Sequence, residues 1–485
     1  MLYHQKYITW FAGLMFCLLA ATAFINCSGG GNEVAGGGIG GTGIVIGAVS
    51  GIGSITVNEG QLDTGNAEVI IEGNFVGVGD QAVRDFLEIG MVVRVETVSR
   101  ADGTAAADRI FYNDDVEGPV QEITTIDNLT KKLTVMGQTV VVNDLTVFKN
   151  TAIGLIALDN VLEISGFVDS EGFIRAAFVE KTVDVILPDT AVELKGIVFN
   201  LNSLQETFQI NQLTIDYSLA DVSSLPAGLP SEGQLVEVKG KLDGNAVLIA
   251  DRIEPENLLG TDDSGKAEIQ GIVSSFASVS DFDLGGVEIQ TDAATAFEGL
   301  DPEELDIESK LLVKGSLSNG VLLADRVIDK DKVKLKSGVK LKGSQTLTLE
   351  GLEVIVRSNS LTKFLGDADS FDQISIGDDV RIFGRPVTDN ANNNALASKV
   401  MTKSSADSKI MLKGPVSQVN SPTLIILGTT VDTTTVPEDG FELSDGSPIT
   451  RGKFFSIVGE GDIVNAKGTL NGTVTWTGIE LQTDN

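Results

Sequence analysis

Apolar and polar residues alternate with a period of two over much of this chain, in pairs of short runs separated by glycine. That period belongs to half-buried strands, and a Gly-containing break between two runs belongs to a hairpin. Lys132-Leu-Thr-Val-Met-Gly-Gln-Thr-Val-Val-Val142 is one such pair, and its shape returns at 208–215, 282–289 and 347–354. A Thr and an aromatic follow these hairpins, as in Thr146-Val-Phe148, Thr295-Ala-Phe297 and Thr362-Lys-Phe364. A less regular connection comes next, in which Leu300-Asp-Pro-Glu-Glu-Leu-Asp-Ile307 reads as a short helix with Asp301 as cap and Pro302 in first position. Two further runs close the pattern: Leu235-Val-Glu-Val-Lys239 and Ala246-Val-Leu-Ile-Ala250 flank a turn from Gly240 to Gly244.

The closing pair recurs as a phrase. Gly233-Gln-Leu-Val-Glu-Val-Lys-Gly240, continued to Ala250-Asp251-Arg252-Ile253, is echoed by 311–327, where Lys314-Gly315 leads to Ala324-Asp325-Arg326-Val327. Looser copies lie at 90–110, ending Ala107-Asp108-Arg109-Ile110, and at 377–384 and 461–472. A second landmark, Gly-x-Val, opens the units at Gly47, Gly118, Gly196, Gly271 and Gly414, with Gly343 as a counterpart lacking the Val. Successive landmarks lie 71, 78, 75, 72 and 71 residues apart. This period exceeds that of solenoid repeats, so each unit reads as a small domain. Five short strands in such a unit predict an all-β fold: six small antiparallel, OB-like barrels in tandem, since closure removes exposed edges. The expected domains are 44–117, 118–192, 193–266, 267–338, 339–410 and 411–485. Units of this size sit near the lower limit for an independent core, which predicts packing between neighbours. Six barrels in a row would extend on the order of 100 Å.

The Asp-Arg pairs Asp108/Arg109, Asp251/Arg252 and Asp325/Arg326 admit two readings. Arg offers a fork of donors to a carboxylate or phosphate ligand. The alternative is an ion pair at a strand end, and repetition along with the fold favours this structural role. Phe148, Phe208, Phe282, Phe297 and Phe364 recur at equivalent places, as core residues do.

Residues 1–26 combine Lys6, an uncharged stretch from Ile8 to Ile25 and Cys27 immediately after, which reads as a secretory leader. The position of Cys27 resembles a bacterial lipoprotein signal in which that Cys is lipidated, with Asn26 and Phe24 departing from the usual residues. Cleavage after Ala23 would instead release a soluble chain, and an uncleaved anchor is a third fate. With Ser28 after the Cys, the expected address is the outer membrane, and the Gly-rich stretch 27–43 becomes a flexible tether.

The formal net charge of −33 argues against nucleic acid, whose binding depends on basic side chains releasing counterions. Acidic surfaces attract divalent cations, and Asp367, Asp369 and Asp372, with the Asp/Asn run from Asp389 to Asn394, gather the oxygen ligands that Ca2+ takes. Neither stretch matches an EF-hand loop, and such clusters commonly form turns. Beyond the leader there is no His, since His4 is the only one, and Cys17 also lies in the leader. This removes Ser-His, Cys-His and His-bearing zinc chemistry, so catalysis is not expected; a carboxylate pair, as in glycoside hydrolysis, or a Ser-Lys or Lys-based site is what remains. Glu303, Glu304, Asp306 and Glu308 form the densest acidic cluster and read as a solvated face. Trp476 is the only Trp outside the leader; it is either an exposed sugar platform or part of barrel closure.

The glycine-rich segment at 37–44, the Gly-x-Val openings and the Val-Glu-Val-Lys-Gly…Ala-Asp-Arg-Ile closings resemble the bacterial domain-of-unknown-function family numbered fifty-six sixty-six. The resemblance covers 37–485 in outline and is clearest from Gly196 to Val327. It implies an exported protein of tandem small β-domains, often lipidated, with no established activity and no catalytic residues to carry over. The combined expectation is a non-catalytic envelope lipoprotein, held to the membrane by an N-terminal lipid. It would act as a structural or binding module for an envelope protein, polysaccharide or other polymer, with carbohydrate or calcium binding as the alternative.

Overall fold

In the computed structural model the described residues are 43–482, apart from 101–104, 188–189, 261–263, 388–393, 404–406 and 445. The leader, the tether, Cys27 and the Asp/Asn run at 389–393 lie outside them. Six β-barrels follow one another along the chain. The fourth displays the pattern fully. Its first strand, Ser264–Ser278, pairs antiparallel with Asp281–Leu284 and with Lys310–Ser318. Asp281–Leu284 pairs with Val287–Gln290, which runs parallel to the last strand, Val321–Asp329, and that strand pairs back onto Lys310–Ser318. The strand order is therefore 1-2-3-5-4-1, a closed OB-like barrel. The second and fifth barrels, opening at Val116 and Val333, repeat these ladders. The expected helix in the fourth connection is a single 3-10 turn, Pro302–Glu304, with the Asp301 amide donating to Glu304 Oε2 at 2.8 Å. Among the described residues, only the first and last barrels carry an α-helix there, Gly79–Phe86 and Arg451–Ile457.

The repeated glycines mark steric contacts. At Gly118, Gly196 and Gly414 a Cβ would come within 2.2, 2.2 and 2.6 Å of the side chains of Met136, Ile210 and Leu427, which the hairpin lays across the first strand. The fifth barrel's counterpart is not Gly343, which lies in a turn where its amide bonds the Thr346 carbonyl, but Ser337, two residues before Val339. Val339 opposes Leu349 as Val416 opposes Ile426, and the Ser337 hydroxyl donates to the Glu350 carbonyl.

The glycine of the closing phrase faces a β-bulge. The register slips at Gly166, Gly240, Gly315, Gly384 and Gly468, opposite Ala176, Ala250, Ala324, Ala397 and Trp476; the first barrel has Thr97 at this place. The bulge pushes a carbonyl to where a Cβ would stand, 2.1 Å away at Gly240, Gly315 and Gly384. It also frees the next carbonyl to accept from the Thr of the Thr-x-aromatic motif: Thr146 to Ala176, Thr295 to Ala324 and Thr362 to Ala397, at 2.8–2.9 Å. Glycine, small bulge residue and threonine thus form one lock. Phe208 and Phe282 fill cores, while Phe148, Phe297 and Phe364 pack against them partly buried.

The barrels do not form a row. First strands pair edge to edge, joining barrel 2 to barrel 3 through Val116/Glu117 and Leu194/Glu193, and barrel 5 to barrel 6 through 334–336 and 411–413. Barrel 1 joins barrel 4, three units on, through a parallel ladder of 43–46 with 266–269. These pairings cap edges that single barrels would leave open. The outward-facing charges of those strands are thereby covered, and they pair across barrels. Lys413, fully buried, lies 2.9 Å from Asp329 of barrel 4. The buried Lys334 pairs with Glu304, and Arg381 approaches Glu304 at 3.6 Å. Lys399 donates to the Ser309 hydroxyl at 2.6 Å and the Glu304 carbonyl at 3.2 Å, with its ammonium 4.4 Å from the Phe383 ring centre. Glu304 and Glu308 are therefore buried inter-barrel partners, which corrects the solvated-face reading, while Glu303 is exposed. Among the described residues no helix is long and apolar enough to cross a membrane.

Candidate functional site

Two features stand out on this framework, a cleft and a buried carboxylate cage. The cleft, about 660 Å³, lies between the first hairpin of barrel 2, around Asp127 to Leu129, and the loops of barrel 5. Gln345, Arg357, Ser358, Ser360 and Asp372 supply polar groups, and Phe364 and Phe371 supply aromatic surface. Its walls are fixed by the Asn359 amide donating to Asp127 Oδ2 at 2.8 Å and by Lys363 pairing with Glu171 at 2.5 Å. Arg385, buried against Asp144, adds a further tie between the same barrels.

The cage sits where barrels 1, 2 and 3 meet. Glu72 occupies the turn between Glu68–Ile71 and Asn74–Val78. Asp114 and Asp115 lie in the link from barrel 1 to barrel 2, and Glu193, Glu237 and Lys239 come from adjacent strands of barrel 3. Lys239 Nζ lies 2.9, 2.9 and 2.7 Å from Glu72, Glu193 and Glu237. Glu72, Asp114 and Glu193 each present an oxygen within 4.8 Å of the others, and they are the single such triad among the described residues. Burial and the neighbouring carboxyls of Glu237 and Glu72 push the Glu193 carboxyl up to about 12. Burial, then Glu72 and Glu163, push Asp114 well above the carboxylate range. Burial likewise raises Glu163 to about 7, assisted by Glu180, Glu117 and Glu72 and opposed by the Tyr112 hydroxyl, which donates to it at 2.8 Å.

These raised values set a pH dependence. A carboxyl whose folded pKa exceeds its unfolded one stabilises the fold below the unfolded value and loses that contribution as pH climbs through the folded one. For Glu163 the window runs from 4.5 to about 7. The melting midpoint, followed by circular dichroism in chelator, is expected to fall between about pH 5 and pH 7.5, a loss on the order of 2–3 kcal/mol. Glu163→Gln should flatten that slope; an equal slope in the variant counts against this origin.

The residues singled out from sequence fall elsewhere. Asp367, Asp369 and Asp372 are exposed and do not form a close triad. The Asp369 amide bonds Gln373, and the Asp372 carbonyl accepts from Lys342. Trp476 is only 4% exposed and sits at the bulge of the last barrel, its carbonyl accepting from Thr435, so it offers no sugar platform. The Arg of each closing phrase turns to a glutamate: Arg109 to Glu96, Arg252 to Glu254 at 2.7 Å, and Arg326 to Glu298. Asp325 pairs with Lys266 at 2.7 Å, while the Asp251 carbonyl accepts from the Asp221 amide. The Asp and Arg of a phrase therefore serve different partners. Sequence reasoning missed Glu72, Asp114 and Glu193. A charge three residues before the landmark, as at Glu193, Glu268 and Lys334, is the signal that marks first-strand positions covered by another barrel.

The family model for a domain of unknown function, DUF5666, matches residues 117–180, 190–254, 270–328 and 413–480, together more than half of the chain. The chain belongs to the DUF5666 family. The four DUF5666 matches fall on barrels 2, 3, 4 and 6, and the structure adds barrels 1 and 5 as further copies of the same fold. No curated protein and no solved structure matches the chain.

Proposed function

We propose that this DUF5666 chain is an exported, lipid-tethered, non-catalytic binding module of the cell envelope, and that it takes a polar polymer of the glycan class in the cleft between barrels 2 and 5. The cleft is the observation that carries this reading: it is large enough for sugar residues and is lined by amide, hydroxyl and guanidinium groups beside Phe364 and Phe371. The leader, the glycine tether beyond Cys27 and the net charge of −33 support an exported, membrane-held body that avoids nucleic acid. Rigid walls suit a module that binds without closing, because little ordering has to occur on binding.

The test is affinity electrophoresis of the mature chain through gels containing envelope or capsular polysaccharides. Retardation by at least one polymer is expected, with Arg357→Ala and Gln345→Ala weakening binding about tenfold each, roughly 1.4 kcal/mol. A folded chain that no polymer retards, or retardation unchanged in both variants, would overturn the cleft assignment. Cell fractionation of Cys27→Ser tests the tether, since that form should leave the membrane fraction.

A further inference from the structure

The carboxylate cage is built by three barrels, and neither the cleft nor the repeat accounts for it. We infer that Asp114, Glu193 and Glu72 together bind one divalent cation of the calcium class, which ties the link between barrels 1 and 2 to barrel 3. Their oxygens converge within 4.8 Å, and hard oxygen donors of this kind are what Ca2+ selects. Asp114 supplies an independent observation. It is only 3% exposed, and its Oδ1 has no hydrogen-bond partner. Glu193 Oε1, 7% exposed at the residue level, is in the same condition. Buried acceptors are almost always satisfied, and a cation between them is the ligand that would satisfy both.

Lys239 does not meet this demand. Its ammonium holds Glu72 Oε2 and Glu193 Oε2 at 2.9 Å, while the orphan Glu193 oxygen is the other one, Oε1. One positive charge is set against Glu72, Asp114, Glu193 and Glu237, and Lys195 beyond them faces Asp115 and Glu256 as well as Asp114 and Glu72.

The experiment uses the full mature chain stripped with EGTA. Calorimetric titration with CaCl2 should give one site per chain. Tb3+, a luminescent Ca2+ mimic, should be sensitised by Tyr112, which lies two residues before Asp114 with its hydroxyl on Glu163. Asp114→Asn and Glu193→Gln should each weaken Ca2+ at least tenfold, and Tyr112→Phe should cut the Tb3+ emission while Asp369→Asn leaves it intact. The absence of Ca2+ binding by the folded chain overturns the site. So does Tb3+ emission that Tyr112→Phe leaves unchanged. If either charge-removing variant fails to fold, the Tyr112→Phe comparison and the Ca2+ titration of the unaltered chain still decide.

Discussion

Replacing Glu304 by Ala is expected to remove about 3–5 kcal/mol from the joint between barrels 4 and 5, the range found when one partner of a buried ion pair is deleted. Glu304 is 1% exposed; its carboxylate holds Lys334 and faces Arg381, and its backbone carbonyl holds Lys399. With the carboxylate gone, Lys334 keeps the Gly299 carbonyl, at 3.0 Å, and the Phe383 ring, whose centre lies 5.5 Å from the ammonium, and stays shut away from water. Unfolding of six joined barrels need not be one transition, so the measurement is hydrogen exchange of the strand Val333–Lys342 alongside denaturant unfolding. The double variant Glu304→Met/Lys334→Met should recover most of the loss, because an apolar pair of similar volume removes the stranded charge. A loss below about 1 kcal/mol in the single variant would mean that water reaches this pair.

A second large effect is expected at the bulge. Gly315→Ala places a methyl 2.1 Å from the Leu323 carbonyl oxygen, a backbone atom that cannot swing aside. Either the bulge opens, breaking the Thr295–Ala324 bond, or the fourth and fifth strands separate locally. The cost should be about 3 kcal/mol, the upper part of the overpacking range, read as a fall in the unfolding midpoint of the full chain. Gly452→Ala provides the contrast. Gly452 lies in the helix Arg451–Ile457 with open space around it, and the same methyl should add about 0.5–1 kcal/mol there. Equal effects at both sites would show that the closing-phrase glycine is not a steric requirement.

The barrel was legible because each of its devices is local. Met136 and Gly137, with φ of 50° and 70°, make the tight turn that the break in the alternating run announced. The closing phrase also carried its own explanation, since Gly240, Ala250 and the bulge between their strands lie within one hairpin. Gly343 misled for a local reason as well: a glycine stood close to the expected spacing, while the landmark position itself had become Ser337. The fate of outward-facing charge was not legible. Alternation put Glu193, Lys334 and Lys413 on the side away from their own barrel cores, which in an isolated barrel is water. Trp476 shows the converse, because the bulge at Gly468 shifts the alternation that would have turned its ring outward.

By itself the sequence determined the repeat, its period and the closed antiparallel unit, because strand alternation, turn glycines and bulge partners act over a few residues. It also set the charge. The tertiary structure alone decided that barrel 1 joins barrel 4, that Glu304 and Lys413 are buried, and that Glu72, Asp114 and Glu193 converge. Those outcomes depend on which strand edges meet across more than a hundred residues of chain, as Gly43 meets Lys266. The pattern along a strand states which face is polar, and only the packing of whole barrels states whether that face meets water, a counter-charge or a cation.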